Sequence, residues 1–207
     1  MAQFDVYLNP DPVQRERTPY LLDVQNSFLE RLATRVVVPM RRAEYAPLPM
    51  RELNPAFEVQ GQALVLDTAA LAAIPGRGLG PAVASLRSQS SEAVSALARL
   101  YEGSGNWNLA LEMLGREARL AGVGPDAVAV LARIGRIHEE MLQDRASARD
   151  AYRRALELDP GHLPSLRAMR AIAEAEGDRA RYLELLVAEA RYTEDDAGRA
   201  RLLREAG

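Results

Sequence analysis

The sequence predicts an α+β chain made of two folding units: a small β domain over residues 1–90 and an all-α helical-repeat array over residues 91–207. Two observations predict this. In the first segment apolar residues recur at every second position, in short runs broken by Pro and Gly, which is the period of strands and turns. From about Ser91 the composition shifts to Ala, Leu, Glu and Arg in a helical period that nearly repeats itself, as stacked helix pairs require.

The β elements follow in order. Phe4, Val6 and Leu8 alternate with Gln3, Asp5 and Tyr7, so a first strand is expected with Phe4, Val6 and Leu8 on its buried face. Pro10 and Pro12 end it in a loop. Pro19 to Val24 and Arg35 to Met40 read as two more strands, the second apolar enough to be central. Between Phe57 and Leu66, apolar residues flank Gln60-Gly61-Gln62, where Gly61 can supply the positive φ of a hairpin turn. Pro75 to Gly80 is a glycine-rich connector, because no Gly-Lys-Ser/Thr follows to make a phosphate cradle.

A helix is expected from Val83 to Glu102, with apolar residues on two faces and an interruption at Ser88 to Ser91. It is claimed by both segments, as the last helix of the β domain and the first of the array. Proteolysis is expected to cut first between Arg87 and Ser91.

In the array, Leu97, Ala98 and Tyr101 with Ala110 and Leu114 make a first helix pair turning at Gly105. Ile134, Gly135 and His138 with Ala148, Tyr152 and Ala155 make a second, closed by Asp159-Pro160. Leu166, Ala173, Gly177-Asp178, Tyr182 and Leu186 make a third, and a last helix from about Asp195 to Glu205 reads as a truncated fourth unit or a cap. Small residues let paired helices approach and Pro160 stops a helix. The spacing Ala148-x3-Tyr152-x2-Ala155-x4-Pro160 resembles the tetratricopeptide repeat, whose period is about 34 residues. That resemblance implies about three units whose groove binds a partner peptide.

Composition excludes much chemistry. The chain has no Cys, which removes disulfides, thiolate metal sites and cysteine nucleophiles. Nine Arg and nine acids fall in residues 1–89, and 17 Arg face 20 acids beyond, so neither part is a basic nucleic-acid surface. Direct sequence-specific nucleic-acid binding is therefore not expected. No apolar run reaches the ~20 residues of a membrane span, and a cytoplasmic protein is expected. His138 and His162 lack a second ligand at metal spacing, and Glu139-Glu140 and Asp195-Asp196 read as solvated helix faces. Trp107 opens a helix, as a wall between repeats rather than a groove contact. No catalytic set, metal or cofactor is expected.

Several stretches of the first segment share one order with a known family. They are Gln3-Phe4-x-Val6-Tyr7, Leu22 to Asn26, Arg35 to Met40, Arg51 to Pro55, Asp67-Thr68-Ala69, Ile74-Pro75 and Val83 to Leu86. Together they resemble the CcdB family, the gyrase-poisoning toxins of toxin–antitoxin modules. The resemblance implies an SH3-like β-barrel with a C-terminal helix, a homodimer, and a CcdA-like antitoxin as partner. It implies a non-catalytic mechanism in which the dimer wedges into the DNA gyrase A subunit and traps the cleaved complex.

By the same resemblance the target-binding residues are Gln3, Phe4 and Tyr7 on the first strand, Asn26, Phe28 and Leu29 after the second, and Gly103. By alternation alone Phe4 would be core. Family members end in Trp-Gly-Ile, whereas this chain reads Glu102-Gly103-Ser104 and continues. Two readings therefore stand side by side. One is a gyrase-directed toxin with a helical extension. The other is an interaction scaffold in which the β domain serves dimerisation.

Overall fold

The computed structural model describes residues 2–25, 31–46 and 53–206, and the chain divides into two compact units, Met1–Asn106 and Trp107–Gly207. In the first, seven strands form one antiparallel sheet, curled into a half-barrel: β1 (Asp5–Leu8), β2 (Tyr20–Asp23), β3 (Thr34–Arg42), β4 (Ala56–Val59), β5 (Gln62–Leu66), β6 (Ala72–Pro75) and β7 (Ala82–Ser85). Their order is β4-β5-β3-β2-β1-β7, with β6 also paired to β3.

The Val36-Val37-Val38 run makes β3 the long central strand, as its β-branched residues favour. One edge of β3 pairs with β2, while the other pairs with β6 at Thr34–Val37 and with β5 at Met40–Arg42. That change of partner bends the sheet and explains a proline in a central strand. The Pro39 carbonyl accepts the Asp67 N–H at 2.9 Å on the side where β6 gives way to β5, so the missing N–H breaks no regular ladder there. The β4–β5 hairpin closes through Gln60 (φ 51°) and Gly61 (φ 76°), the paired positive φ values of a tight hairpin turn.

Two expectations fail in this unit. Val6 and Tyr7 are both buried while Leu8 is 41% exposed, so the strand does not present Phe4, Val6 and Leu8 as one inner face. The strand itself is regular against β2, the extra residue of the irregularity opposite Val6 and Tyr7 being Val83 of β7, but it is covered on both faces at Val6 and Tyr7, and Phe4 precedes it at φ 68°. Nor is Val83 helical. Ala82–Ser85 is β7, an edge strand on β1, and a 3-10 turn at Arg87–Gln89 leads into helix α1 (Ser90–Gly103). The serine cluster marks where this helix begins rather than an interruption within it.

Helix α1 belongs to the first compact unit and buries Ala93, Val94, Ala96, Leu97 and Ala98. The four residues Gly103 to Asn106 are all exposed, and Gly105 has φ 71°. Limited proteolysis should therefore cut first near Gly103–Asn106, by Glu-C after Glu102 or chymotrypsin after Tyr101. Mass spectrometry of the early fragments checks this. First cuts at Arg87 to Ser91 would contradict it.

The second unit is a succession of helices joined by short turns: α2 (Trp107–Ala121), α3 (Pro125–Arg136), α4 (Arg145–Leu158), α5 (Leu163–Glu176), α6 (Arg179–Tyr192) and α7 (Asp196–Ala206). Each packs on the next, α3 with α4 and α5 with α6 most extensively. Pro125 opens α3, and Asp144 and Asp178 cap α4 and α6 by accepting the Ser147 and Arg181 N–H groups. Gly177 ends α5 at φ 74°, as a left-handed C-cap requires.

One turn of π-helix, Ile137–Met141, extends α3 and was not legible in the sequence. It places Glu139 to accept a 2.9 Å hydrogen bond from the Tyr152 hydroxyl, so Glu139 is not simply a solvated acid. Asp195 likewise caps α7 by accepting from Gly198 N at 2.7 Å. The core of α4, α5 and α6 includes Tyr152, Leu166, Met169, Ile172, Tyr182 and Leu186, with Leu202 of α7 packed against it.

Candidate functional site

The residues before β1 form a turn. Asp5 N donates to Ala2 O at 3.1 Å, and Ala2 N returns a 2.8 Å bond to the Asp5 carboxylate. Phe4 sits inside it, its N–H on Asp23 O at 2.7 Å and its carbonyl accepting from Leu86 N at 2.8 Å. The Gln3 side-chain amide donates to Val24 O at 2.9 Å. Arg87 lies 3.5 Å from the Asp5 carboxylate. Gln3 and Phe4, both half-buried, are thus fixed between the end of β2 and the start of the segment leading to α1.

Tyr7 goes elsewhere. It is 1% exposed and packs with Leu21, Val37 and Leu79. Burial pushes its hydroxyl above the ordinary tyrosine value, with Asp5 and Asp23 adding to the effect. Its ring faces the interior of this unit. Gly103 is exposed at the end of α1, and a 14-residue helix carries it roughly 20 Å along the axis from Ser90. Asn26, Phe28 and Leu29 lie outside the described residues.

Beneath Gln3 and Phe4 is a buried polar group that sequence reasoning missed. Asp23 and Arg35 face each other at 3.7 Å, their side chains 0% and 6% exposed. Asp23 Oδ1 accepts the Gln25 N–H at 2.9 Å, and Gln25 Oε1 accepts Val36 N at 3.1 Å. The available signal was a carboxylate at the end of an otherwise apolar strand, where burial demands partners. This group ties β2 to β3 at the point where residues 24 and 25 leave the sheet.

Burial pushes the Asp23 carboxyl above the ordinary aspartate value, although the Gln25 N–H and the Arg35 charge pull it back. A carboxyl raised in the folded state stabilises the fold fully below its unfolded pKa, and that contribution is lost as pH rises through the folded pKa. Asp23→Asn keeps the acceptor for Gln25 but cannot ionise. Its stability relative to the parent should therefore rise as pH climbs above about 4. Thermal midpoints of both proteins between pH 4 and 7 read the difference, and a flat or falling difference would contradict the assignment.

Elsewhere the site chemistry is sparse. His162 Nδ1 lies 2.8 Å from Ser165 Oγ, and His138 Nδ1 is 3.8 Å from the Asp144 carboxylate. Among the described residues no three His, Asp or Glu side chains stand where they could hold a metal ion, and no helix is long and apolar enough to cross a membrane. What the first unit presents is a surface: a pinned turn and a helix end.

Residues 3–103 match the CcdB protein family. The match covers every strand of the half-barrel and stops at Gly103, the last residue of α1. No curated protein matches the chain. The CcdB match supports a toxin of the toxin–antitoxin kind for the first unit.

Proposed function

We propose that the first unit is a CcdB-like toxin that binds the DNA gyrase A subunit and traps the cleaved complex, without catalysis of its own, in the cytoplasm. The observation that carries this reading is the family match, which spans the whole half-barrel and α1 in one continuous stretch. The pinned turn of Gln3 and Phe4, with Gly103 at the end of α1, supplies its contact residues, and a CcdA-like antitoxin is the second partner. Poisoning by the full chain is weak, because Glu102 and Ser104 stand where the family places Trp and Ile and a second unit follows. The experiment is co-sedimentation of the full chain with purified gyrase A subunit. Weak or no binding by the full chain is expected, with firm binding by the truncation after Ser104 carrying Glu102→Trp and Ser104→Ile, and no binding by either form would remove the reading.

The second unit is a tetratricopeptide-type array that binds a partner peptide. Gly135 against Tyr152, and Ala148 and Ala155 buried beside it, support that assignment. They also keep open the scaffold reading, in which the β domain serves dimerisation. Both readings require the β unit to be a homodimer. Light scattering should give twice the chain mass at tens of micromolar, and a monomer would count against both.

A further inference from the structure

One helix pair of the second unit breaks the pattern set by the pair before it. A period of about 34 residues carries Ala148, Tyr152 and Ala155 of α4 onto Tyr182, Leu186 and Glu189 of α6. Both alanines are 0% exposed, small residues that let α4 close on its neighbours. Tyr182 and Glu189 are buried in the corresponding places, at 5% and 3% exposure. A buried carboxylate costs stability unless it is paired, and neither side chain is small enough to restore the alanine packing. Natural sequences break a packing rule at such a cost chiefly at functional positions.

Around these two residues lies a cavity of about 530 Å3 walled by α5, α6 and α7. Its two ends differ in charge. At one, Arg167, Arg170 and Arg201 line it with Glu189 and Asp195. Arg167 Nε and Arg170 Nε donate to the two oxygens of Glu189 at 2.8 and 2.9 Å, and Asp195 accepts the Gly198 N–H at 2.7 Å. Three arginines against two carboxylates leave this end one charge positive, and Arg201 is exposed with no partner among the described residues.

The other end holds Glu174 and Glu205, which follow Arg170 and Arg201 by one turn on their own helices. Glu205 accepts from the Tyr182 hydroxyl, and Glu174 is exposed with no partner among the described residues. The Tyr182 ring is held by Arg170 at 5.7 Å and by Arg179 at 5.3 Å, and Asp178 beside Arg179 leaves that pair neutral. This end is therefore negative. By helix rise, Glu174 lies roughly 6–10 Å along α5 from Arg170 and Arg167.

We infer that the cavity binds an extended peptide segment carrying an acidic and a basic residue three positions apart, the acid toward Arg167 and Arg201 and the base toward Glu174 and Glu205. This rests on the proposed reading of the array as a peptide binder and names the class of peptide. An extended chain advances about 3.3 Å per residue, so three positions span both ends. Guanidinium groups fixed on a shared carboxylate suit the planar, charge-assisted recognition of an acid.

The test is fluorescence anisotropy of the full chain with four blocked, dye-labelled hexapeptides on one Gly-Ser frame. They differ only at the second and fifth residues: Asp with Lys, Asp with Asp, Lys with Lys, and Ser with Ser. The Asp–Lys peptide should bind roughly fivefold or more tighter than each of the others. Arg201→Gln and Glu174→Gln, at exposed side chains, should each weaken it roughly threefold, with the unfolding midpoint of the second unit unchanged. Equal affinity for all four, or tighter binding of a like-charged peptide, overturns the charge pattern and leaves the array reading standing. Unaltered affinity in both variants places the peptide elsewhere and overturns the site. Silence from all four overturns the inference, and the array reading falls with it only where a random peptide library is not bound either.

Discussion

Truncation after Ser104 combined with Glu102→Trp and Ser104→Ile is expected to tighten binding to the gyrase A subunit roughly a thousandfold over the full chain. Two effects combine. Each buried anchor restored at an interface contributes about 2 kcal/mol or more, and two that add make about three decades in affinity. Truncation also removes the hundred residues that follow. The structure makes the substitutions tolerable: Gly103 and Ser104 are exposed, and Glu102 is half-buried in the last turn of α1. The Ser104 hydroxyl contributes one exposed 3.1 Å bond to Tyr101 O, a small loss. Titration calorimetry of the full chain, the truncation alone and the repaired truncation separates the effects. Equal affinities for all three would mean that this helix end does not meet the target.

In the second unit the largest expected effect comes from Gly135→Val. A Cβ at Gly135 would lie 2.6 Å from the Tyr152 ring, far inside van der Waals contact. The ring cannot swing aside cheaply, since it is 4% exposed and its hydroxyl is held by Glu139 at 2.9 Å. Glycine in mid-helix ordinarily costs about 1 kcal/mol relative to alanine, so its presence here is explained by the close approach of α3 and α4. Overpacking costs typically 1–3 kcal/mol, and the β-branched side chain keeps the clash from being turned away. Gly135→Val should therefore destabilise the second unit by about 3 kcal/mol in urea unfolding, with the first unit unchanged. Tyr152→Leu in the same chain should recover part of the loss, and a double-mutant cycle isolates the coupling. A neutral Gly135→Val would show that the two helices are not packed as described.

The sequence displayed some of this and hid the rest for physical reasons. The Gln60-Gly61 hairpin and the central β3 were legible because turn chemistry and β-branched runs are local signals. Likewise the pairing of α3 with α4 and α5 with α6 followed from small residues at fixed spacing. Strand β7 was hidden because Val83-Ala84-Ser85 has no β signal of its own and is held by pairing to β1, a partner about 80 residues away. The face of β1 was misread because burial on both of its faces at Val6 and Tyr7 and the left-handed backbone of Phe4 are decided by tertiary contacts, not by alternation. Among the site residues, Gln3 and Phe4 come together beside Val24, whereas Tyr7 turns inward to Leu21 and Val37. No period in the sequence distinguishes those two fates.

The central claim is that the half-barrel and α1 form a gyrase-directed toxin whose helix end is altered and extended. Linear DNA accumulated by purified gyrase on a supercoiled plasmid tests it most directly, comparing the full chain with the repaired truncation at equal concentration. Little linear DNA with the full chain and abundant linear DNA with the repaired form is the result predicted. Strong trapping by the unmodified chain would contradict the account of the helix end, and no trapping by either would contradict the toxin assignment itself.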